Sequence, residues 1–289
     1  MNLLSFTVPT ELAPCRLLRL AERMLPQVPR GDLERAFEKK DAKQNGERVR
    51  KDAMALPGAC VQIYLPGQYA PVEIPVLYQD ARVLVVRKPA GVSCQSDAKG
   101  GKTITELVGE QLRRETPDAV DPLLCHRLDA PTQGLMMLAR DDLTNELLQQ
   151  GFRQRQIHKQ YVCLVKGCPQ PPQADKTAYL RKDAQQARVF VREHAFAGAL
   201  TIRTGYRVLE GGEVSRVLVE LHTGRTHQIR AHMAFLGYPL LGDDQYGDRD
   251  FNRQQKAKRL MLCATHLRCE LTGEMSYLNQ YDWTTEPDF

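Results

Sequence analysis

The chain has 289 residues, 42% hydrophobic and 26% charged, with a net charge of +5. This is an ordinary globular composition, long enough for one large core or two domains. No run of about 18 apolar residues occurs, which excludes a membrane-spanning helix, and residues 1–14 lack the basic and apolar regions of a secretory signal, so a cytoplasmic location is expected. None of the eight cysteines forms a Cys-x-x-Cys pair, and there is no His-Glu-x-x-His. Reduced, mostly buried thiols are expected and a zinc site is not.

Charge is unevenly placed. Residues 14–66 hold eleven Lys or Arg against seven Asp or Glu, which leaves only about +1 for the rest of the chain. That concentration suits a nucleic-acid contact, and it suits a solvated helix surface equally well. Within residues 15–25, Leu17, Leu18, Ala21, Met24 and Leu25 share one helical face, with Arg16, Arg19 and Arg23 largely off it. A break at Pro26 and Pro29 precedes a second short helix, 31–40, with Leu33, Ala36 and Phe37 inward and Arg35, Lys39 and Lys40 outward. Asn45-Gly46 is a strong hairpin signal, because a type I′ turn needs positive φ at both central residues. A strand over 59–65 closes the unit. Two basic helices followed by a small hairpin resemble the S4-like RNA-binding domain, which implies structured RNA as the partner. The domains are set at 1–66, a Pro- and Gly-containing linker at 67–74, and 75–289.

Beyond the linker, residues 82–87 read as a buried strand running into a Lys-Pro-Ala-Gly turn at 88–91. Thr103 and Glu106 fit a capping box for a helix to about Arg114. Strands are expected at 135–139, 160–166, 187–193, 200–209 and 214–222, with helices at 142–155 and 226–236 and a hairpin turn at 210–213. That pattern argues for an α+β domain. Gly101-Lys102-Thr103 resembles the end of a phosphate-binding loop, but the motif needs Gly at position 96, which is Ser. A surface turn and helix cap are expected there, and no nucleotide site.

Two segments concentrate polar side chains beside apolar strands: HRLDAPTQGLMMLAR (126–140) and HTGRTHQIRAHMAFLGYPLLGDDQYG (222–247). By residue type alone they read as a reactive site, an RNA-phosphate surface or a buried ion-pair network. HRLDxxTxGL followed far downstream by TGRTHQIRxHxxxxGxPLxGDxxYG resembles the RluA-type family of pseudouridine synthases. Residues 75–92, 158–167 and 259–267 match further family segments in order, so the resemblance spans about 74–272.

The resemblance implies a pseudouridine synthase fold with a mainly antiparallel mixed sheet. It also implies an isomerase that uses no cofactor, metal or nucleotide. Asp129 matches the essential aspartate, expected to act covalently or as a base. Arg127 matches an arginine that helps displace or replace the flipped base. Tyr161 matches the active-site tyrosine, whose ring should pack on uracil. Arg225 matches the basic residue expected to pair with the aspartate, and a neighbouring guanidinium favours an ionised carboxylate. Leu262 matches an apolar wall residue. Gln133 and Cys263 depart from the family's usual Ser and His.

Other polar residues read as scaffold. Cys125 is expected to pack in the core, His126 to make a structural hydrogen bond, and Tyr246 to pack. Lys88 could meet phosphate or cap its strand. His227 and His232 lie five apart on a helix and do not suit a metal pair. With an S4-like domain, the resemblance points to large-subunit ribosomal RNA and a monomer. The alternatives are a transfer-RNA synthase, a catalytically silent RNA-binding or ribosome-assembly factor on the same fold, and a hydrolase, which would need a second facing carboxylate.

Overall fold

The computed structural model describes residues 2–10, 15–25, 28–66, 73–95, 102–183 and 188–289. Pro26, most of the expected linker at 67–74, and Ser96 and Gly101 lie outside the described residues. The chain divides into two compact units, Met1–Glu73 and Ile74–Phe289.

In the first unit β1 (Asn2–Thr7) is followed by α1 (Leu17–Met24), α2 (Arg30–Glu38), β2 (Ala42–Gln44), β3 (Glu47–Arg48) and β4 (Cys60–Leu65). The helices bury Leu17, Leu20, Ala21, Leu33, Ala36 and Phe37 against Val61, Ile63 and Leu65 of β4. Met24, expected on the buried face, is 38% exposed at the end of α1, and Leu20 fills the core instead. Asn45 and Gly46 both have positive φ, 52° and 85°, as the hairpin requires. β1 was not anticipated. It pairs antiparallel with β4 along its whole length and gives a sheet of order β1-β4-β2-β3.

The second unit runs β5 (Val76–Gln79), β6 (Val83–Lys88), α3 (Ile104–Glu115), β7 (Leu123–Leu124), β8 (Gln133–Ala139), α4 (Asp142–Arg153) and β9 (Ile157–Lys166). It continues with β10 (Gln173–Asp183), β11 (Arg188–Arg192), β12 (Leu200–Glu210), β13 (Val214–Leu221), α5 (Gln228–Phe235), α6 (Arg249–Gln254), β14 (Leu262–Cys269) and β15 (Asp282–Thr284). The sheet order is β11-β10-β12-β13-β9-β14-β8-β6-β5, with β15 on β14 and β7 on β8. Every pairing is antiparallel except β14 with β8. This is the α+β, mainly antiparallel mixed sheet that the sequence implied.

Strand side chains alternate between faces, and both faces are covered at the centre. One core joins Leu84, Val86, Met136, Tyr161, Val219, Leu262 and Ala264 with Ile104 and Val108 of α3 and Ile229 and Met233 of α5. The other joins Val83, Val85, Leu135, Met137 and Leu267 with Leu148 of α4 and with Met275 and Leu278. All seven residues of β8 are buried, so its run of apolar residues reads continuously rather than alternating. The capping box of α3 forms: Thr103 Oγ1 accepts from Glu106 N–H, and the Glu106 carboxylate accepts from Thr103 N–H. No helix among the described residues is long and apolar enough to cross a membrane.

Candidate active site

The parallel junction of β8 and β14 sets the floor of the site. Cys263 lies opposite Gln133 and Ala264 opposite Gly134. A Cβ on Gly134 would stand 2.2 Å from the Ala264 carbonyl oxygen, and Gly134 has φ 115°, so the close approach of the two backbones requires glycine. On the other side of β14, Tyr161 of β9 pairs with Ala264. Tyr161 and Leu262 are therefore neighbours, 4% and 2% exposed, on one face of the sheet.

Asp129 stands just before β8, in a turn closed by Thr132 N–H donating to the Asp129 carbonyl at 3.0 Å. Lys88 holds this turn from below. Its side chain is fully buried, and Nζ donates to the carbonyls of Pro89, Val92 and Ala130 at 3.0, 2.8 and 3.0 Å. Burial pushes the Lys88 pKa down to about 8, against the opposing pull of Cys94 and Asp129. Of the two tasks considered for Lys88, the structure favours the scaffold one: it ties the 88–92 turn to the Asp129 loop. The Cys94 thiol does the same from another side, donating to the Leu128 carbonyl at 3.2 Å and accepting from Leu128 N–H at 3.4 Å.

The second segment arrives through α5, which starts at Gln228 rather than at the expected 226. Gln228 is buried and fixes the loop before it. Its Oε1 accepts from Arg225 N–H and from the Thr223 hydroxyl, and its Nε2 donates to the Arg203 carbonyl and to Thr204. His227 precedes the helix with φ 54°. This late start changes which arginine meets the carboxylate. Arg225 is left in the loop, exposed at the rim. Arg230, on the buried side of the first helical turn, places Nη1 3.8 Å from Asp129 Oδ2. The expected Arg225–Asp129 pair is corrected to Arg230–Asp129.

The rest of the Arg230 guanidinium is clamped. Nε and Nη2 donate to the two Asp243 oxygens at 2.7 and 2.8 Å, a bidentate pair with the Asp243 side chain fully buried. Burial opposes the Arg230 charge, but the Asp243 hydrogen bonds and charge outweigh it and raise its pKa above the ordinary value. Asp243 is itself cradled by the N–H groups of Gln245 and Tyr246. The sequence reading missed Arg230 and Asp243. The available signal was an arginine beside the buried Ile229 and an acidic pair at 243–244 further on.

These side chains line an open cleft of about 120 Å³ that includes Arg127, Asp129, Thr132, Tyr161, Arg225, His227, Arg230 and Leu262. The structure thus brings together all five residues singled out from sequence, with Arg127 and Arg225 at the exposed edge. Arg127 Nη1 donates to Gln95 Oε1 at 2.9 Å. Gln133 and Cys263 do not line the cleft. They face each other across the junction, on the side away from Leu262 and Gly134, where the Gln133 amide donates to Asp288. His126 Nε2 accepts from Met137 N–H at 3.0 Å, and the Cys125 thiol donates to the Met137 carbonyl at 2.9 Å. Both are scaffold groups of the Asp129 loop.

A carboxylate beside a clamped guanidinium, under a tyrosine ring and an apolar wall, has the parts needed to hold a base out of its stack. A family model described as RNA pseudouridylate synthase matches residues 82–235, just over half of the chain. An uncharacterised RNA pseudouridine synthase of Aquifex aeolicus is 31% identical over 87% of this chain and 84% of its own. The chain belongs to the RluA-type RNA pseudouridine synthases. It is also 28% identical to the ribosomal large subunit pseudouridine synthase C of Vibrio cholerae, over 89% of this chain and 86% of that one. Among solved structures, human RNA pseudouridylate synthase domain containing 1 superposes with a TM-score of 0.61 at 26% identity, covering 78% of this chain and 87% of that one. The protein is an isomerase whose substrate is RNA.

Proposed function

We propose that the protein isomerises uridines of large-subunit ribosomal RNA, with Asp129 as the reacting carboxylate. The observation that carries this reading is the Asp129–Arg230 pair, 3.8 Å apart, in the cleft shared with Tyr161 and Leu262. The target uridine leaves its stack and enters the cleft, Tyr161 packs on the uracil face, and Arg127 at the mouth takes the space of the displaced base. Asp129 attacks the nucleotide or acts as its base. The C1′–N1 bond breaks, uracil turns, and C5 bonds to C1′ as any bond to Asp129 is released; the C5 hydrogen leaves as a proton and N1 takes one up. Leu262 helps keep the cut base from escaping. Arg230 holds the carboxylate in place, and Arg225 at the rim meets the RNA backbone.

The ribosomal target is supported by relatives named as large-subunit pseudouridine synthases. The first unit, read as S4-like, docks structured RNA through its basic helices. A carbodiimide map of ribosomal and transfer RNA tests the target. Cells lacking the protein are compared after return of the wild type or of Asp129→Ala. Sites in large-subunit RNA restored only by the wild type are expected. Restoration in transfer RNA alone contradicts the ribosomal assignment. Identical maps for the two proteins leave a non-catalytic RNA-binding role as the better account.

A further inference from the structure

His227 lines the same cleft as Asp129, yet the reaction as described gives it no task. Its backbone sits in the left-handed region, at φ 54°, a conformation that surrounding contacts must enforce in a residue of this size. Those contacts come from Tyr246. Its Oη lies 2.9 Å from His227 Nδ1 and also accepts the Val189 N–H at 2.9 Å. The Tyr246 ring is flanked by the guanidinium groups of Arg230 and Arg188, at 5.3 and 5.0 Å.

This arrangement favours one tautomer. A phenol has one hydrogen. Oη accepts from Val189, so donation of that hydrogen to Nδ1 satisfies both groups. The other tautomer would leave the hydroxyl hydrogen without an acceptor among the described residues. In the tautomer this favours, Nδ1 is bare and Nε2 carries the proton. Burial lowers the His227 pKa below its ordinary value; the Asp129 charge opposes this and the Arg230 charge adds to it. The ring is neutral, and its free polar group is one N–H.

We propose that His227 is a further catalytic residue of the isomerisation, its Nε2–H donating to a carbonyl oxygen of the uracil ring. The proposal rests on the cleft being the uridine site. Uracil offers two carbonyl oxygens, O2 and O4, to such a donor. When the C1′–N1 bond breaks, its electron pair stays with the base and spreads onto those oxygens. A donor fixed there binds the transition state more strongly than the ground state. A neutral donor does this without adding a second cation beside Arg230.

The test measures single-turnover rates on RNA carrying uridine, 2-thiouridine or 4-thiouridine at the modified position, since sulfur is a poor hydrogen-bond acceptor. His227→Asn tolerates the left-handed backbone and removes the far N–H. The expected loss is about 10²-fold in rate, with RNA affinity unchanged. One of the two thio substitutions is expected to slow the wild type and to have almost no further effect on the variant. Tyr246→Phe keeps the ring and removes only the hydroxyl, so a smaller loss and a weaker thio effect are expected; it carries the same comparison if the Asn variant does not fold. The proposal is overturned if both thio substitutions slow wild type and variants by equal factors, or if His227→Asn reacts at the wild-type rate. Full activity in Asp129→Asn would instead remove the cleft as the uridine site, and this assignment with it.

Discussion

Arg230 meets three carboxylates, the exposed Asp244 and two that do different work. Asp243 takes two of its nitrogens and fixes the plane, and Asp129 receives the third. Arg230→Met leaves the Asp243 charge buried without its counter-ion, and breaking such a pair costs about 3–5 kcal/mol. Urea unfolding is expected to show that loss, together with a large drop in rate. Arg230→Lys keeps the charge but cannot make the bidentate contact, so it is expected to recover part of the stability and little of the rate. A rate loss in Arg230→Met with unchanged stability would contradict the clamp. Asp129, Tyr161 and Leu262 were legible because each sits in a motif whose strand or turn is local. The choice between Arg225 and Arg230 was not. It depends on where α5 begins, and that start is set by the long-range bonds of Gln228 to Arg203 and Thr204 of β12.

At the scale of elements, the β8–β14 junction depends on one missing side chain. Gly134→Ala would drive a Cβ into the Ala264 backbone, in a main-chain conformation that L-residues avoid. A stability loss of about 3 kcal/mol or more is expected, measured by thermal melting, with activity falling because the Asp129 turn leads into β8 while Leu262 sits on β14. Docking of α5 is pH-sensitive. His232 is buried with Nδ1 on the Thr204 hydroxyl, and burial lowers its pKa to about 4. In the unfolded chain histidine titrates near 6.5, so as pH falls the unfolded state takes up the proton first. The contribution is complete above about pH 6.5 and is lost between there and pH 4, roughly 2 kcal/mol between pH 7 and 5. His126, also held well below its ordinary value by burial, adds in the same direction. Urea midpoints at the two pH values are expected to differ accordingly, and by less in His232→Asn. β6, β8, β9 and α3 were readable because apolar runs and a capping box are local signals. β10 was not: as a solvated outer strand it is mostly polar, and only its pairing with β11 and β12 identifies it. β1 escaped for a related reason, since its partner β4 lies more than fifty residues away.

Across the whole molecule, positive charge is densest in one stretch of the first unit. Residues 14–66 carry a surplus of +4, which Glu11 and Glu73 reduce to +2 over the whole of Met1–Glu73, and Lys39 and Lys40 are exposed after α2. If that unit docks RNA, replacing both with Ala is expected to weaken binding equally for all target sequences. The slope of log affinity against log salt should shrink by about 1.5, for two lost phosphate contacts. An unchanged slope would place the docking surface elsewhere.

The central claim is that Asp129 carries out the isomerisation, and release of tritium from RNA labelled at uridine C5 tests it most directly. Joining C5 to C1′ must expel that hydrogen, so release counts completed turnovers. The wild-type protein is expected to release tritium from large-subunit ribosomal RNA, and Asp129→Asn to release none while binding the same RNA with equal affinity. Release by Asp129→Asn at the wild-type rate would contradict the account.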